Sequence, residues 1–193
     1  MKRKILNVGC ALLVGFLWSS ALQAAEVYKL DPNHTAVLWQ IDHFGFSQPS
    51  GKWMVTEGRL VLDKNKPEED KVSATIQVAD VVTGVPELDK HLKGTLFFDV
   101  GKYPQATFES TKVVAMGKTK AKVYGNLTLH GVTKPIVLNV TFNKAGINPI
   151  TNLPSVGFSA TTQLKRSDFG ITTLLPSVGD TVNINIQAEA HQG

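Results

Sequence analysis

The chain has 193 residues, of which 42% are hydrophobic, and it carries 20 Lys and Arg against 16 Asp and Glu. Lys2, Arg3 and Lys4 precede every acidic residue, which leaves 17 cations against 16 anions and a net charge of +1 for the rest. This near-neutral balance removes the main electrostatic reason for binding nucleic acid, so we predict no nucleic-acid partner.

Residues 1–24 have the pattern of a secretory signal peptide. Three cations are followed by a largely apolar run and then by two alanines that offer a cleavage site after residue 24. An uncleaved membrane anchor is the alternative, but the run is near the lower length limit for a span and no stop-transfer flank follows it. We therefore expect a signal peptide at 1–24 and a secreted domain at 25–193. The only cysteine lies in the apolar run, so the secreted domain must depend on core packing.

Period-two alternation dominates the chain after residue 36, as in antiparallel sheets with one buried face. The apolar faces are Val37, Trp39 and Ile41; Val72, Ala74, Ile76 and Val78; Ile136, Leu138, Val140 and Phe142; Phe158, Ala160, Thr162 and Leu164; and Val182, Ile184, Ile186 and Ala188. One helical window runs from Pro86 to Lys93, with proline suited to its first position and Gly94 to the position after its end. Many short strands with one short helix predict a sandwich or a closed barrel.

The sequence contains no pattern of a catalytic or metal site. No two of the five histidines share a metal-ligand spacing, although this leaves a cluster of residues distant in sequence open. A nucleophile elbow, a Gly-rich phosphate loop and a cysteine nucleophile are all missing from the secreted domain. We therefore predict no enzymatic activity, no cofactor and no metal.

Several short sequence motifs, in order along the chain, resemble those of a known protein family. They are Tyr28-Lys-Leu-Asp31 with His34, Phe97 to Pro104 and on to Phe108, Leu127-Thr-Leu-His-Gly-Val-Thr-Lys-Pro135, Gly157-Phe-Ser-Ala160 and Arg166-Ser-Asp-Phe-Gly170. From Tyr28 to Ala190 the chain resembles the YceI-like family of bacterial periplasmic proteins, described as polyisoprenoid binders. The resemblance implies an all-β protein, an antiparallel lipocalin-like β-barrel of about eight strands with one short helix and an apolar lumen. It also implies a periplasmic carrier of polyprenyl phosphate or isoprenoid quinone.

In such a barrel, inward side chains either fill the lumen or line a cavity for one ligand. The predicted ligand-binding residues are Trp39, Ile41, His43, Phe46, Trp53, Phe108, Phe158, Leu164, Arg166 and Phe169. His43 lies an even number of positions from Trp39 and Ile41, and Arg166 from Leu164, so each is expected on the same face of its strand as those apolar residues. These two polar residues are therefore candidates to contact a lipid head group. The alternatives are a hydrogen-bonded core histidine and an arginine that fixes its own turn.

Other ligands and partners stay open at this stage. The barrel could bind another amphiphile, such as a fatty acid or a fatty amide, or it could be plugged and act as a stress-related interaction protein. Lys118, Lys120 and Lys122 form a basic stripe, which fits either a transient membrane-surface contact or the protection of an edge strand. Members of the family are often dimeric, but no feature of the sequence predicts a homodimer. The segment Asp89 to Phe98 departs from the family pattern, which puts ligand choice in doubt.

Overall fold

The computed structural model describes residues 25–193, so the predicted signal peptide lies outside the described residues. The ten strands of this part are β1 (Glu26–Leu30), β2 (Ala36–His43), β3 (Ser50–Met54), β4 (Glu57–Leu62), β5 (Lys71–Gln77), β6 (Gln105–Ala115), β7 (Lys120–Leu129), β8 (Val132–Ile147), β9 (Pro154–Lys165) and β10 (Val178–Gln192). The helix α1 is Pro86–Lys93, and single 3-10 turns occupy Pro67–Glu69, Val78–Asp80 and Arg166–Phe169.

The strands form a closed antiparallel barrel. Eight of them make a ring in the order β1-β4-β5-β6-β7-β8-β9-β10, and the pairing of β10 with β1 closes it. The long strand β10 pairs with β2 over its earlier residues and with β1 over its last three, and β3 pairs with β2. The predicted antiparallel barrel of about eight strands with one short helix is confirmed.

Alternation along β10 shows why these residues form a barrel wall. Val182, Ile184 and Ile186 point inward against other apolar side chains, while Asn183 and Asn185 between them are exposed. Successive side chains of a strand point to opposite faces, so this pattern is stable only where one face is dry and the other is wet. The inward face therefore selects the register that buries it.

The basic stripe does not protect an edge. Lys120 and Lys122 lie on β7, and β7 pairs with β6 on one side and with β8 on the other. A strand that is hydrogen-bonded on both sides needs no protection against edge-to-edge pairing. The edge-strand interpretation is therefore wrong, because sequence alternation identifies a strand without showing its place in the sheet.

Helix α1 has the bounds predicted for it and covers one end of the barrel. Pro86 takes a first-turn position, with acidic residues in the first turn and Lys90, His91 and Lys93 in the last, which complements the helix dipole. Leu92 is buried and, with Leu88, packs against the tryptophan cluster inside the barrel. Among residues 25–193, no helix is long and apolar enough to cross a membrane.

Candidate functional site

Apolar side chains line the barrel interior in rows that cross neighbouring strands. In one row, Ala121 pairs with Val140, Val140 with Ala160, Ala160 with Ile186 and Ile186 with Val37. Directly opposed residues of adjacent strands lie on the same face of the sheet. All five side chains therefore point to one face, which the buried clusters identify as the interior.

The interior is not packed like a solid core. Within residues 25–193, the buried hydrophobic residues form three clusters rather than one. Around these clusters, many inward apolar side chains are only half-buried: Ile41, Ile76, Phe108, Ile136, Val140, Phe158, Leu164, Val182, Ile184 and Ile186. Side chains that fill a closed barrel would be buried on all sides, because protein cores pack at crystal-like density. The middle of the barrel therefore retains accessible apolar surface.

Two tryptophans mark the end of the interior that α1 covers. The ring centroids of Trp39 and Trp53 are 6.1 Å apart, and the Phe98 ring lies edge-on to Trp53 at 5.3 Å. Trp39 lies directly over Gly51, where an added Cβ would come within 2.5 Å of the indole ring. Only glycine at this position of β3 lets the indole lie flat against the barrel wall.

The structure brings six of the ten predicted ligand residues into this interior. Trp39, Trp53 and Ile41 belong to the cluster beneath α1, while Phe108 and Phe158 pack against the other two clusters. Leu164 is paired with the inward Val182 and therefore shares its face. These six residues therefore lie on the inner face of the barrel wall, as the predicted ligand role requires of them.

His43 and Phe46 are not part of the lining. His43 ends β2 and is exposed, with its ring against Phe44 at a centroid distance of 4.4 Å. His43 pairs with Val178 at the last position of β2, beyond an irregularity in β10 between Val178 and Val182. Phe46 follows in the turn and is 91% exposed. Their predicted role as ligand contacts has no support in their position.

Arg166 is buried, at 6% exposure, in the 3-10 turn after β9. Its guanidinium donates hydrogen bonds to the carbonyl oxygens of Gly179 (2.8 Å), Ile171 (3.0 Å), Thr173 (2.8 Å) and Val178 (2.9 Å). Burial lowers its pKa, and the negative charge of Asp180 opposes that shift. Four of its five N–H groups are thus used to hold the loop that leads into β10. This placement matches the alternative in which the arginine fixes its own turn, with carbonyls in place of a carboxylate.

Three of the recognised sequence phrases contact one another. The Tyr103 ring packs edge-on against His130 at 4.6 Å, and an added Cβ at Gly131 would overlap the same ring. The His130 Nδ1–H donates to the carbonyl oxygen of Phe169, a residue only 2% exposed, at 3.0 Å. The phrases around Phe97–Pro104, Leu127–Pro135 and Arg166–Gly170 therefore form one packed unit.

One group of titratable residues was not predicted as a site from the sequence. Asp31, His34, Glu189 and His191 lie together on the outer wall, and His34 and His191 both contact Asp31 Oδ2, at 2.6 and 3.1 Å. Burial favours the protonated acid, but hydrogen bonds from His34, the Asn33 N–H and His191 outweigh it and lower the pKa of Asp31 to about 2. The hydrogen bond to Asp31 also raises the pKa of His34. A spacing rule could not find this cluster, because its two histidines are 157 positions apart in the sequence.

The family model for the YceI-like domain matches residues 28–190 of the chain. The chain belongs to the YceI-like family. A UPF0312 protein of Pseudomonas putida strain W619 is 43% identical over 164 residues, which cover 83% of this chain and 85% of the relative. The crystal structure of a Campylobacter jejuni YceI protein is 31% identical, with a TM-score of 0.67 over 79% of this chain and 90% of that protein.

A more distant structure shares the fold of this YceI-like protein. A polyisoprenoid binding domain from Saccharophagus degradans superposes with a TM-score of 0.61 over 86% of this chain and 98% of that domain, at 15% identity. The family model and the Pseudomonas relative confirm the family resemblance of the sequence motifs, and the fold that the resemblance implied is the one described above.

Proposed function

We propose that the protein binds the apolar chain of an isoprenoid lipid inside the barrel and acts as a periplasmic carrier or store for it. The observation that carries this proposal is the half-buried apolar lining of a closed barrel. Ten apolar side chains that remain accessible inside the barrel contribute little to the stability of the fold unless an apolar ligand covers them. The Saccharophagus domain of the same fold, described as binding polyisoprenoid, supports the choice of lipid.

Selectivity must come from the shape of the interior. Each buried methylene gains roughly 0.8 kcal/mol on leaving water, so a long tail has ample driving force. The competing site is a bilayer, however, and transfer from one apolar medium to another cancels most of that gain. Branched isoprene units are wider than straight acyl chains, so a lining that includes Phe108, Phe158 and Trp39 would distinguish them by its width and shape.

Another amphiphile, such as a fatty acid or a fatty amide, is the second candidate, because the same lining accepts any flexible apolar chain. The plugged barrel is disfavoured by the half-buried side chains around the three clusters. We propose a binding role without catalysis, since the interior side chains named above carry no titratable group.

Export through the predicted signal peptide at 1–24 belongs to the same proposal, because an isoprenoid carrier of this kind works next to a membrane. Exposed apolar residues near the covered end of the barrel, namely Phe44, Phe46, Val82, Val85, Leu96 and Leu174, suit a transient contact with that membrane. Flotation with anionic vesicles tests this contact: Phe46→Ser should weaken it, and equal flotation of both proteins would contradict it. A homodimer stays a prediction of the family resemblance.

The first experiment is native mass spectrometry of protein purified gently from the periplasm, followed by organic extraction and identification of the bound molecule. A stoichiometric isoprenoid quinone or prenyl phosphate is the expected result. A fatty acid or fatty amide would keep the binding role and change the ligand. Protein that is isolated empty and takes up no added prenyl lipid would contradict the proposal.

A further inference from the structure

A group of potential metal ligands lies on the outer wall, at the seam where the barrel closes. Asp31 directly follows β1, and Glu189 and His191 lie two residues apart on β10. Ala188 and Ala190 of β10 pack in the interior cluster, so the alternate residues Glu189 and His191 point outward. The Asp31 N–H donates to the Glu189 carbonyl oxygen at 2.8 Å, which places the Asp31 carboxylate beside the other two side chains.

The distances in this group suit a single bound ion. His191 Nε2 lies 3.1 Å from Asp31 Oδ2 and 3.8 Å from Glu189 Oε1, and one ligand atom of each residue lies within 4.8 Å of the other two. In a tetrahedral site with bonds of about 2.0–2.2 Å, ligand atoms are roughly 3.3–3.6 Å apart. The Glu189 carboxylate lies farther from His191 than this spacing, so it would move towards the other two side chains to share one ion with them.

Hydrogen bonds around the group hold the ligands in a binding orientation. Ser155 Oγ donates to the Leu153 carbonyl oxygen at 3.0 Å, so it must accept the Nδ1–H of His191 at 2.7 Å. With the proton on Nδ1, Nε2 faces two carboxylates either as an N–H of an imidazolium or as a lone pair that shares a cation with them. Asn148 Nδ2 donates to Glu189 Oε1 at 3.0 Å and orients that carboxylate. A histidine whose second nitrogen donates to an outer partner is the usual arrangement at metal sites.

His34 lies close enough to this group to join it as a fourth ligand. Its Nδ1 is 2.6 Å from the same Asp31 oxygen, and its side chain is exposed, so it can rotate towards an ion without disturbing the core. A surface depression of about 360 Å³, lined in part by His34 and Glu189, gives an ion access from solvent.

We propose that Asp31, Glu189, His191 and His34 bind one divalent transition-metal ion, with Zn²⁺ as the ion that best suits two imidazoles and two carboxylates. Imidazole nitrogens favour Zn²⁺ and its neighbours, whereas Ca²⁺ and Mg²⁺ require oxygen ligands. The ion would join β1 to β10, which are held by only three paired positions, and so stabilise the closure of the barrel. The site lies outside the lumen and does not depend on the lipid-binding proposal.

The test is a titration of EDTA-stripped exported protein with Zn²⁺ against a chromophoric chelator, together with thermal unfolding at each Zn²⁺ concentration. We expect one Zn²⁺ per chain and a Tm that rises with Zn²⁺, because an ion that binds only the folded state stabilises it. Ca²⁺ and Mg²⁺ should produce neither effect.

Variants separate a coordinated ion from a charged hydrogen-bond network. His191→Ala and Asp31→Asn should each reduce affinity by more than about 100-fold, and Ser155→Ala by about 10-fold, as losses of ligands and of outer partners do. His34→Ala alters an exposed side chain, so it should fold normally and still bind at least about 10-fold more weakly. His43→Ala, another exposed histidine, is the matched control and should bind as the parent does. Absence of stoichiometric Zn²⁺ binding, or an affinity equal to the parent's in both His34→Ala and His191→Ala, would overturn the proposal.

Discussion

The indole N–H of Trp53 donates a hydrogen bond to the carbonyl oxygen of Val78 at 3.0 Å, in a part of the protein where both residues are buried. This bond joins β3 to the 3-10 turn that follows β5. The neighbouring indole of Trp39 is equally buried, yet within the described residues its N–H has no partner. Two adjacent rings of the same chemistry therefore differ in one hydrogen bond.

Replacement of each tryptophan by phenylalanine should reveal that bond. Trp53→Phe leaves the buried Val78 carbonyl without its indole donor, while Trp39→Phe removes a donor that has no partner. We expect Trp53→Phe to lower the free energy of unfolding by about 1 kcal/mol more than Trp39→Phe does. Urea denaturation of both variants measures the difference. Equal destabilisation would show that the bond contributes nothing and that loss of ring volume explains both values.

A ring placed in the barrel interior should displace the ligand. Ala121 points inward and is half-buried, so Ala121→Phe adds a ring to the apolar space. We expect the lipid retained on purification to fall several-fold, with a loss of stability of about 1–3 kcal/mol from overpacking. Mass spectrometry of the extracted protein gives the lipid content, and circular dichroism confirms folding.

The adjacent Lys120 provides the matched control for this change, because it points outward and is exposed. Lys120→Phe adds the same ring to the outer face and should leave the lipid content unchanged. Full lipid retention by folded Ala121→Phe would place the ligand outside the lumen.

Loss of the Arg166 side chain should destabilise the protein without changing lipid binding. Arg166→Met leaves four carbonyl oxygens without their donor, and we expect a cost of about 3 kcal/mol or more. Lys165→Met changes the exposed neighbour and should stay within about 0.5 kcal/mol of the parent. Chemical denaturation gives both values. A folded Arg166→Met protein that keeps its stability but loses its lipid would establish the head-group role that the sequence suggested.

The carboxyl group of Asp70 should lower the free energy of unfolding as the pH rises through weakly acidic values. Burial, together with the charges of Asp63 and Glu68, raises its pKa to about 6, although the Asp63 N–H that it accepts acts in the opposite direction. Between about pH 4 and pH 6 the folded carboxyl keeps a proton that the unfolded chain has released, so the free energy of unfolding falls across this window.

Asp70→Asn keeps the acceptor for the Asp63 N–H and removes the titration. We expect the variant to be more stable than the parent by about 1 kcal/mol at pH 7, a value reduced by partial exposure to solvent, and equal to it at pH 3. Urea denaturation at several pH values checks this. Glu68→Gln removes an exposed charge nearby and should change stability by less than about 0.5 kcal/mol. A stability difference that does not depend on pH would contradict the raised pKa.

The sequence was informative wherever the signal is local. Alternation such as that of Val182, Ile184 and Ile186 identifies a strand and its dry face, because neighbouring side chains of any strand point in opposite directions. Pro86 and Gly94 bracket the helix for equally local reasons. Alternation along β2 alone also predicted that Trp39 and Ile41 lie on the inner wall, without knowledge of the partner strand.

Only the tertiary structure decided features that depend on register between distant strands. His43 at the end of β2 and Phe46 in the turn that follows it are exposed and lie outside the lining, although alternation along β2 alone predicts an inward His43. Likewise, the pairing of β1 with β10 brings His34 and His191 to one carboxylate oxygen of Asp31. Periodicity records which way a side chain points, whereas the neighbours it meets are set by how the barrel closes.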